Sequence, residues 1–109
     1  MPNGVSIVAL LPNPNGTDAG HEQVTIANAT QAAVDLQGWK LIDKAGNVFL
    51  LSGTAEPGKS LVVTMTEATM PLNNNGDEVL LVGRDGVGRS RVAYSAAQVR
   101  SGVVVRFER

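Results

Sequence analysis

The sequence contains no cysteine, and aromatic residues make up only 4% of it. Without cysteine the chain can form neither a disulfide framework nor a thiolate metal site, and the redox compartment stays open. Aromatic side chains provide the stacking platforms for single-stranded nucleic acid, so their scarcity gives little support to that function. It argues equally against a sugar-binding cleft.

Long apolar runs are missing as well. The longest stretches contain about half a dozen residues, whereas a membrane-spanning helix needs about 20. Residues 1–4 carry neither a basic leader nor an apolar segment, so we expect no secretory signal in this chain and no membrane span. Asn15-Gly16-Thr17 and Asn28-Ala29-Thr30 match the glycosylation sequon, and without a signal we interpret both as chance. The compartment stays undecided, because a domain excised from a longer protein would look the same.

Charge is scarce too, at 17% of residues, while glycine and proline together account for 17 of the 109 positions. Low charge with many turn formers favours short strands joined by tight turns over amphipathic helices, which need a wide polar face. Hydrophobic residues, at 43%, suffice for one core. A chain of this length fits one domain, so residues 1–109 are predicted to form a single unit.

What the sequence does have is apolar residues at every second position, the pattern of half-buried strands. Glycine and proline punctuate them, as in the predicted turns Asp43–Gly46, Glu56–Lys59 and Asp85-Gly86. The one helical candidate is a turn or two at residues 96–100. The predicted strands are residues 4–10, 22–28, 38–43, 47–52, 60–66, 78–82, 89–94 and 103–108, with 34–36 leading into the third or forming a ninth.

The alternation also predicts which side chains form the core. Trp39 and Leu41 share one face of their strand, and a lone tryptophan among apolar neighbours is typical of a sandwich core rather than of an exposed platform. The predicted core consists of Ile26, Trp39, Leu41, Val63, Leu81, Val105 and Phe107.

Several stretches together resemble the tail domain of lamins. The most extensive runs from Val34 through Gly38-Trp39-Lys40-Leu41 to Asp43, followed by Gly46. The similarity extends over residues 5–107, and its other segments are residues 22–28, Pro57-Gly58 before an apolar strand, Pro71-Leu72-Asn73, Gly76 to Val79, residues 81–86, Val92 and Tyr94. No single segment decides the resemblance, but their order and spacing are specific.

The resemblance implies an all-β, immunoglobulin-like two-sheet β-sandwich of eight or nine mostly antiparallel strands. It also implies a family without catalytic activity, so we expect no enzyme, no catalytic residue and no cofactor. In lamins this domain meets chromatin and envelope partners, and similar bacterial domains lie beside hydrolases or at the cell surface.

Residues 53–60, Gly-Thr-Ala-Glu-Pro-Gly-Lys-Ser, match the phosphate-loop pattern. That motif needs a following helix whose N-terminal amides hold phosphate. Here Leu61-Val62-Val63-Thr64 favours a strand, and Pro57 lacks one of the required N–H groups. We therefore interpret the match as a turn and expect no nucleotide binding.

A low-probability metal loop surrounds the only histidine, where Asp18, His21 and Glu22 lie within five residues. Carboxylates with imidazole can hold a divalent cation, and Asp77 and Glu78 could lie nearby. Loops of this composition are more often solvated turns, so we expect no metal. One histidine without a nucleophile or an orienting partner also makes no catalytic triad.

Charge is distributed unevenly along the chain. Residues 1–83 hold three lysines against eight acids, whereas residues 84–109 hold six arginines against Asp85 and Glu108. Strand alternation turns Arg89 and Arg91 outward, and Arg106 likewise; if their two strands pair, the three share one face. They form a possible partner-binding face, with a merely solvated face as the alternative.

Three functions therefore stay open. The first is a non-catalytic interaction or spacer module for a protein partner or neighbouring domain. The second is weak polyanion or nucleic-acid binding through the C-terminal arginines, and the third is an accessory domain of a secreted or surface hydrolase. The identity of the partner and the oligomeric state do not follow from the sequence.

Overall fold

Ten strands and one 3₁₀ turn make up the part of the computed structural model that is described, namely residues 4–11, 23–64, 76–98 and 104–107. The strands are β1 Val5–Leu11, β2 Gln23–Asn28, β3 Val34–Asp35, β4 Lys40–Asp43, β5 Val48–Leu50, β6 Thr54–Ala55, β7 Ser60–Thr64, β8 Gly76–Val82, β9 Gly88–Ser95 and β10 Val105–Arg106; the 3₁₀ turn is Ala96–Gln98. No helix long and apolar enough to cross a bilayer occurs within these ranges.

The strands form two four-stranded sheets that enclose the core. The β1 sheet has the order β10-β1-β2-β7 and the β4 sheet has the order β5-β4-β8-β9. Both contain antiparallel pairs throughout, as does the two-stranded ladder of β3 and β6. The all-β, immunoglobulin-like sandwich is confirmed. The strand that the sequence did not reveal is β6, because two residues are too short to show a period.

The predicted turns form with the expected hydrogen bonds. The Gly46 N–H donates to the Asp43 carbonyl at 3.0 Å, and the φ of 92° at Gly46 is one that only glycine adopts readily. The Lys59 N–H donates to the Glu56 carbonyl at 3.1 Å, which closes the Pro57-Gly58 turn. Strand β7 begins directly after it at Ser60, so the phosphate-loop match is followed by a strand rather than by a helix.

The core lies between the two sheets, and some of the side chains predicted for it are less buried than expected. Ile26, Leu41, Leu81 and Val105 are buried as predicted, whereas Val63 and Phe107 are only partly buried against them. Trp39 is also only partly buried, which corrects the expectation of a central core tryptophan. It directly precedes β4 at the end of the sheet, where it packs against the core and stays partly exposed.

On one side of the sandwich, a side-chain hydrogen bond rather than strand pairing connects β1 to the other sheet. Strand β1 carries a bulge between Ile7 and Ala9, and β10 pairs only with Ala9 and Leu10. The Ile7 N–H instead donates to Ser90 Oγ of β9 at 3.1 Å. The hydroxyl therefore joins the two sheets at a residue with which no described strand pairs on that side of β1.

Candidate functional site

A shallow depression of about 420 Å³ lies at the end of the β4 sheet where Trp39 is accessible. Trp39 comes directly before β4, and the turn between β8 and β9 supplies a second wall. We call this site the Trp39 depression, and its lining residues are Asp35, Trp39, Arg84, Asp85 and Arg89.

Arg89 reaches the site because of a β-bulge. Leu81 pairs with Ser90 and Val82 pairs with Gly88, so Arg89 is the extra residue between them. Its Nη2 donates to Asp85 Oδ2 at 2.7 Å, and its guanidinium carbon lies 5.8 Å from the centroid of the Trp39 ring. A cation at this distance is attracted by the face of the indole.

Gly83 makes room for that arginine. A Cβ at this position would lie 2.8 Å from Arg89 Nε, closer than Cβ atoms pack, and a tight 3.1 Å from Asp85 Oδ1. The guanidinium therefore lies directly over the backbone of Gly83, which has no side chain to displace it.

Arg84, which also lines the Trp39 depression, is fixed in a similar way. Its Nε donates to the Gln37 carbonyl at 2.8 Å, its Nη2 lies 3.6 Å from Asp35 Oδ2, and its side chain covers Gly38. Asp35 is held in turn, since its Oδ1 accepts the N–H of Gln37 at 3.0 Å. Both arginines are thus oriented before any ligand arrives.

The electrostatics of the Trp39 depression are balanced. Arg84 and Arg89 carry two positive charges and Asp35 and Asp85 two negative ones, so the described lining residues have no net charge near pH 7. The Val87 N–H, followed by the charge of Arg89, holds the pKa of Asp85 below its ordinary value, so this carboxylate is ionised at neutral pH. Such a lining can pair with a surface of mixed charge and can cover an apolar group with the indole.

A family model described as Lamin Tail Domain matches residues 2–96 of the chain. The chain belongs to this family. No curated protein matches it. Lamin tail domains are immunoglobulin-like modules that commonly mediate protein interactions. The match includes every residue that lines the Trp39 depression.

This lamin tail domain does not assemble the three predicted arginines on one sheet. Arg89 and Arg91 are exposed on β9, as alternation predicts, and Arg91 Nη2 donates to Glu78 Oε2 at 3.0 Å. Arg106 lies on β10, which pairs with β1 in the other sheet, so β9 and β10 do not pair. Whether any of the three contacts a partner stays a prediction.

The predicted metal loop of Asp18, His21 and Glu22 lies outside the described residues. Its two suggested neighbours are in β8 and are already engaged. Asp77 Oδ1 accepts the N–H groups of Lys44 at 3.2 Å and of Glu78 at 2.8 Å, and Glu78 pairs with Arg91. Within the described ranges, no three histidine, aspartate or glutamate side chains group closely enough to hold a metal ion.

Sequence reasoning missed Asp35, Arg84 and Asp85 as members of one site. A repeated local pattern could have indicated them. Asp35 accepts the N–H two residues on, from Gln37, and Asp85 does the same with Val87 at 3.1 Å. An aspartate that fixes its own turn in this way can also fix a nearby arginine. The turns at Asp35 and Asp85 are far apart in the sequence, so the sequence alone does not show that they lie at the same site.

Proposed function

We propose that this lamin tail domain is a non-catalytic interaction module that binds a protein partner or a neighbouring domain through the Trp39 depression. The observation that carries the proposal is the half-buried Trp39, flanked by two arginines that are already fixed by hydrogen bonds. Tryptophan and arginine are the residues most enriched where binding energy concentrates in protein interfaces. Prior fixation lowers the entropy lost when they are covered.

The neutral lining favours a protein over a polyanion. Asp85 accepts from Arg89 at 2.7 Å and Glu78 accepts from Arg91 at 3.0 Å, so an incoming phosphate would compete with both carboxylates. Arg106 lies on the other sheet and adds no charge beside them. A protein surface can offer both signs of charge and an apolar group, which this lining matches.

Site-specific photocrosslinking in the full-length protein, in the cells that make it, tests the proposal. Val87 and Val62 are matched positions, exposed by 53% and 52%, but Val87 adjoins the Trp39 depression and Val62 lies on β7 of the other sheet. We expect a photoreactive residue at position 87 to capture one recurrent protein or neighbouring domain, and the same residue at position 62 not to capture it. Arg84→Ala with Arg89→Ala should remove the product.

Equal capture from both positions, or capture that survives the double arginine variant, would refute a site at the depression. Duplex DNA and heparin at low salt test the polyanion alternative against an Arg89→Ala, Arg91→Ala, Arg106→Ala variant. We expect no binding that depends on these arginines. Strong binding that the triple variant loses would replace the proposed function with polyanion binding.

A further inference from the structure

Strand β5 is a free, apolar edge of the β4 sheet. It pairs with β4 on one side, and no other strand of the described residues pairs with it. Its two outward side chains are Val48, 42% exposed, and Leu50, 72% exposed, while Phe49 between them packs on the core. Proteins commonly protect such an edge with charge or proline, and β5 contains neither.

The hydrogen-bond pattern shows which backbone groups this edge offers. The Asp43 N–H donates to the Asn47 carbonyl at 3.0 Å, and the Leu51 N–H donates to the Trp39 carbonyl at 2.8 Å. Antiparallel ladders alternate, so the odd-numbered residues of β5 bond to β4. The N–H and C=O groups of Val48 and Leu50 therefore point away from the sheet, where an added strand would meet them.

An apolar strip continues from this edge across the outer face of the β4 sheet. Ile42 lies beside Val48 on one side and beside Leu80 on the other. An added strand with apolar side chains next to Val48 and Leu50 would extend the strip and cover part of it. Cross-strand pairs of this kind stabilise antiparallel sheets.

Two lysines flank the strip. Lys40 lies beside Leu50, and Lys44 lies near Ile42 at a hollow of about 190 Å³ on the same face. Neither lysine forms an ion pair with a described residue. Two acids line this hollow: Glu78 is paired with Arg91, and the carboxylate of Asp43 accepts hydrogen bonds from Asn47. The edge therefore presents a lysine outside any described ion pair on each side of an apolar centre.

We propose that β5 receives an extended segment of a protein partner as an added strand, with two apolar residues at alternate positions and carboxylates flanking them. Charge complementarity with Lys40 and Lys44 selects this occupant. A second copy of the chain would bring the same two lysines to the edge, where they would repel Lys40 and Lys44. The proposal does not depend on the Trp39 depression, which lies at a different part of the sheet.

The test uses the whole protein and a blocked peptide, acetyl-Glu-Thr-Val-Thr-Val-Thr-Glu-amide, titrated while backbone amide signals are followed by NMR. We expect the amides of Val48 and Leu50 to shift most, because they gain hydrogen bonds. A peptide with lysine in place of both glutamates should bind at least about tenfold more weakly, and rising salt should weaken the glutamate peptide. N-methylation of both peptide valines should abolish binding, because those amides would face β5.

Protein variants give a matched pair. Leu50→Lys places a charge on a side chain that is already 72% exposed, so the fold should persist while peptide binding is lost. Val62→Lys changes a valine on β7, the edge of the other sheet, and should bind the peptide as the native protein does. Far-UV circular dichroism of both variants checks that each is folded.

Three results would overturn the proposal. The first is the absence of a saturable shift at millimolar peptide, and the second is equal binding of the N-methylated peptide, which would mean contact with the face rather than strand addition. The third is a concentration-dependent mass that Leu50→Lys reduces to that of the monomer, which would mean that a second copy occupies the edge.

Discussion

The side-chain amide of Asn28 donates a hydrogen bond of 2.8 Å to the carbonyl oxygen of Ala55. This contact joins the end of β2 in the β1 sheet to β6 in the two-stranded ladder. The same Nδ2 also donates to the Ala32 carbonyl, and the Oδ1 accepts from both the N–H and the hydroxyl of Thr30. Asn28 is only 1% exposed, so its match to the glycosylation sequon lies on a nitrogen that is inaccessible in the folded domain.

Asn28→Ala should lower the free energy of unfolding by about 3 kcal/mol, because it removes four hydrogen bonds, each with a net contribution of about 0.5–1.5 kcal/mol. Urea denaturation followed by circular dichroism measures this loss. Asn47→Ala is the control, since its exposed side chain makes one hydrogen bond, to Asp43, and its loss should cost about 1 kcal/mol. If both variants lose the same amount of unfolding free energy, the buried hydrogen bonds of Asn28 do not stabilise the fold more than the exposed one of Asn47.

Gly83→Ala should disturb Arg89 with little loss of stability. The new Cβ would displace Nε of a flexible side chain, so we expect less than about 1 kcal/mol of destabilisation. Trp39 is the only tryptophan, and its fluorescence should shift to the red as the guanidinium leaves its face. Gly4→Ala, where nothing lies within 4 Å, should leave the emission unchanged. An unaltered spectrum in Gly83→Ala would show that Arg89 does not depend on the glycine.

Trp39→Ala should cost about 2 kcal/mol, less than the roughly 3–5 kcal/mol typical of fully buried aromatic residues, because Trp39 is only partly buried. Leu41→Ala, at a side chain with no exposed surface, should cost about 3–4 kcal/mol. The comparison requires denaturation curves from circular dichroism, since one variant lacks the fluorophore. A larger loss for Trp39→Ala than for Leu41→Ala would restore the central role that the sequence suggested.

Asp85 should titrate below 3.8, its ordinary pKa. A carboxyl group whose pKa falls on folding stabilises the folded state above its unfolded pKa, and this contribution is lost as pH falls through the folded pKa. The expected window therefore lies below pH 3.8. NMR titration of the side-chain carboxyl carbon measures the value. Arg89→Ala should raise the pKa only in part, because the Val87 N–H is the larger cause; full restoration by this variant would reverse that order.

Most of the fold follows from local patterns in the sequence. Period-two alternation in β2, β8 and β9 reflects strands with one face on the core, and the turn at Asp43–Gly46 is marked by its glycine. Strand β6 carries no such signal, because Thr54–Ala55 becomes a strand only by pairing with β3. Its identity depends on a contact between distant segments rather than on its own composition.

The candidate site was less accessible to sequence reasoning for a related reason. Arg89 and Arg91 alternate regularly, and the outward direction of both follows from that. The bulge that turns Arg89 toward Trp39 depends on the register of β8 against β9, which single-strand patterns do not contain. The sheet to which Arg106 belongs is likewise a matter of topology, and β10 pairs with the first strand rather than with β9.

The contacts of β1 make the order of synthesis important. Leu10 pairs with Val105, and the Ile7 N–H bonds to Ser90 Oγ across 83 positions of sequence. As the chain leaves the ribosome, the first strand emerges long before either partner exists. Pairing with β2 can begin early, but the sandwich cannot close until β9 and β10 are outside the exit tunnel. Nascent chains that stall before Ser90 would therefore expose the apolar side of β1, and chaperones should engage them there.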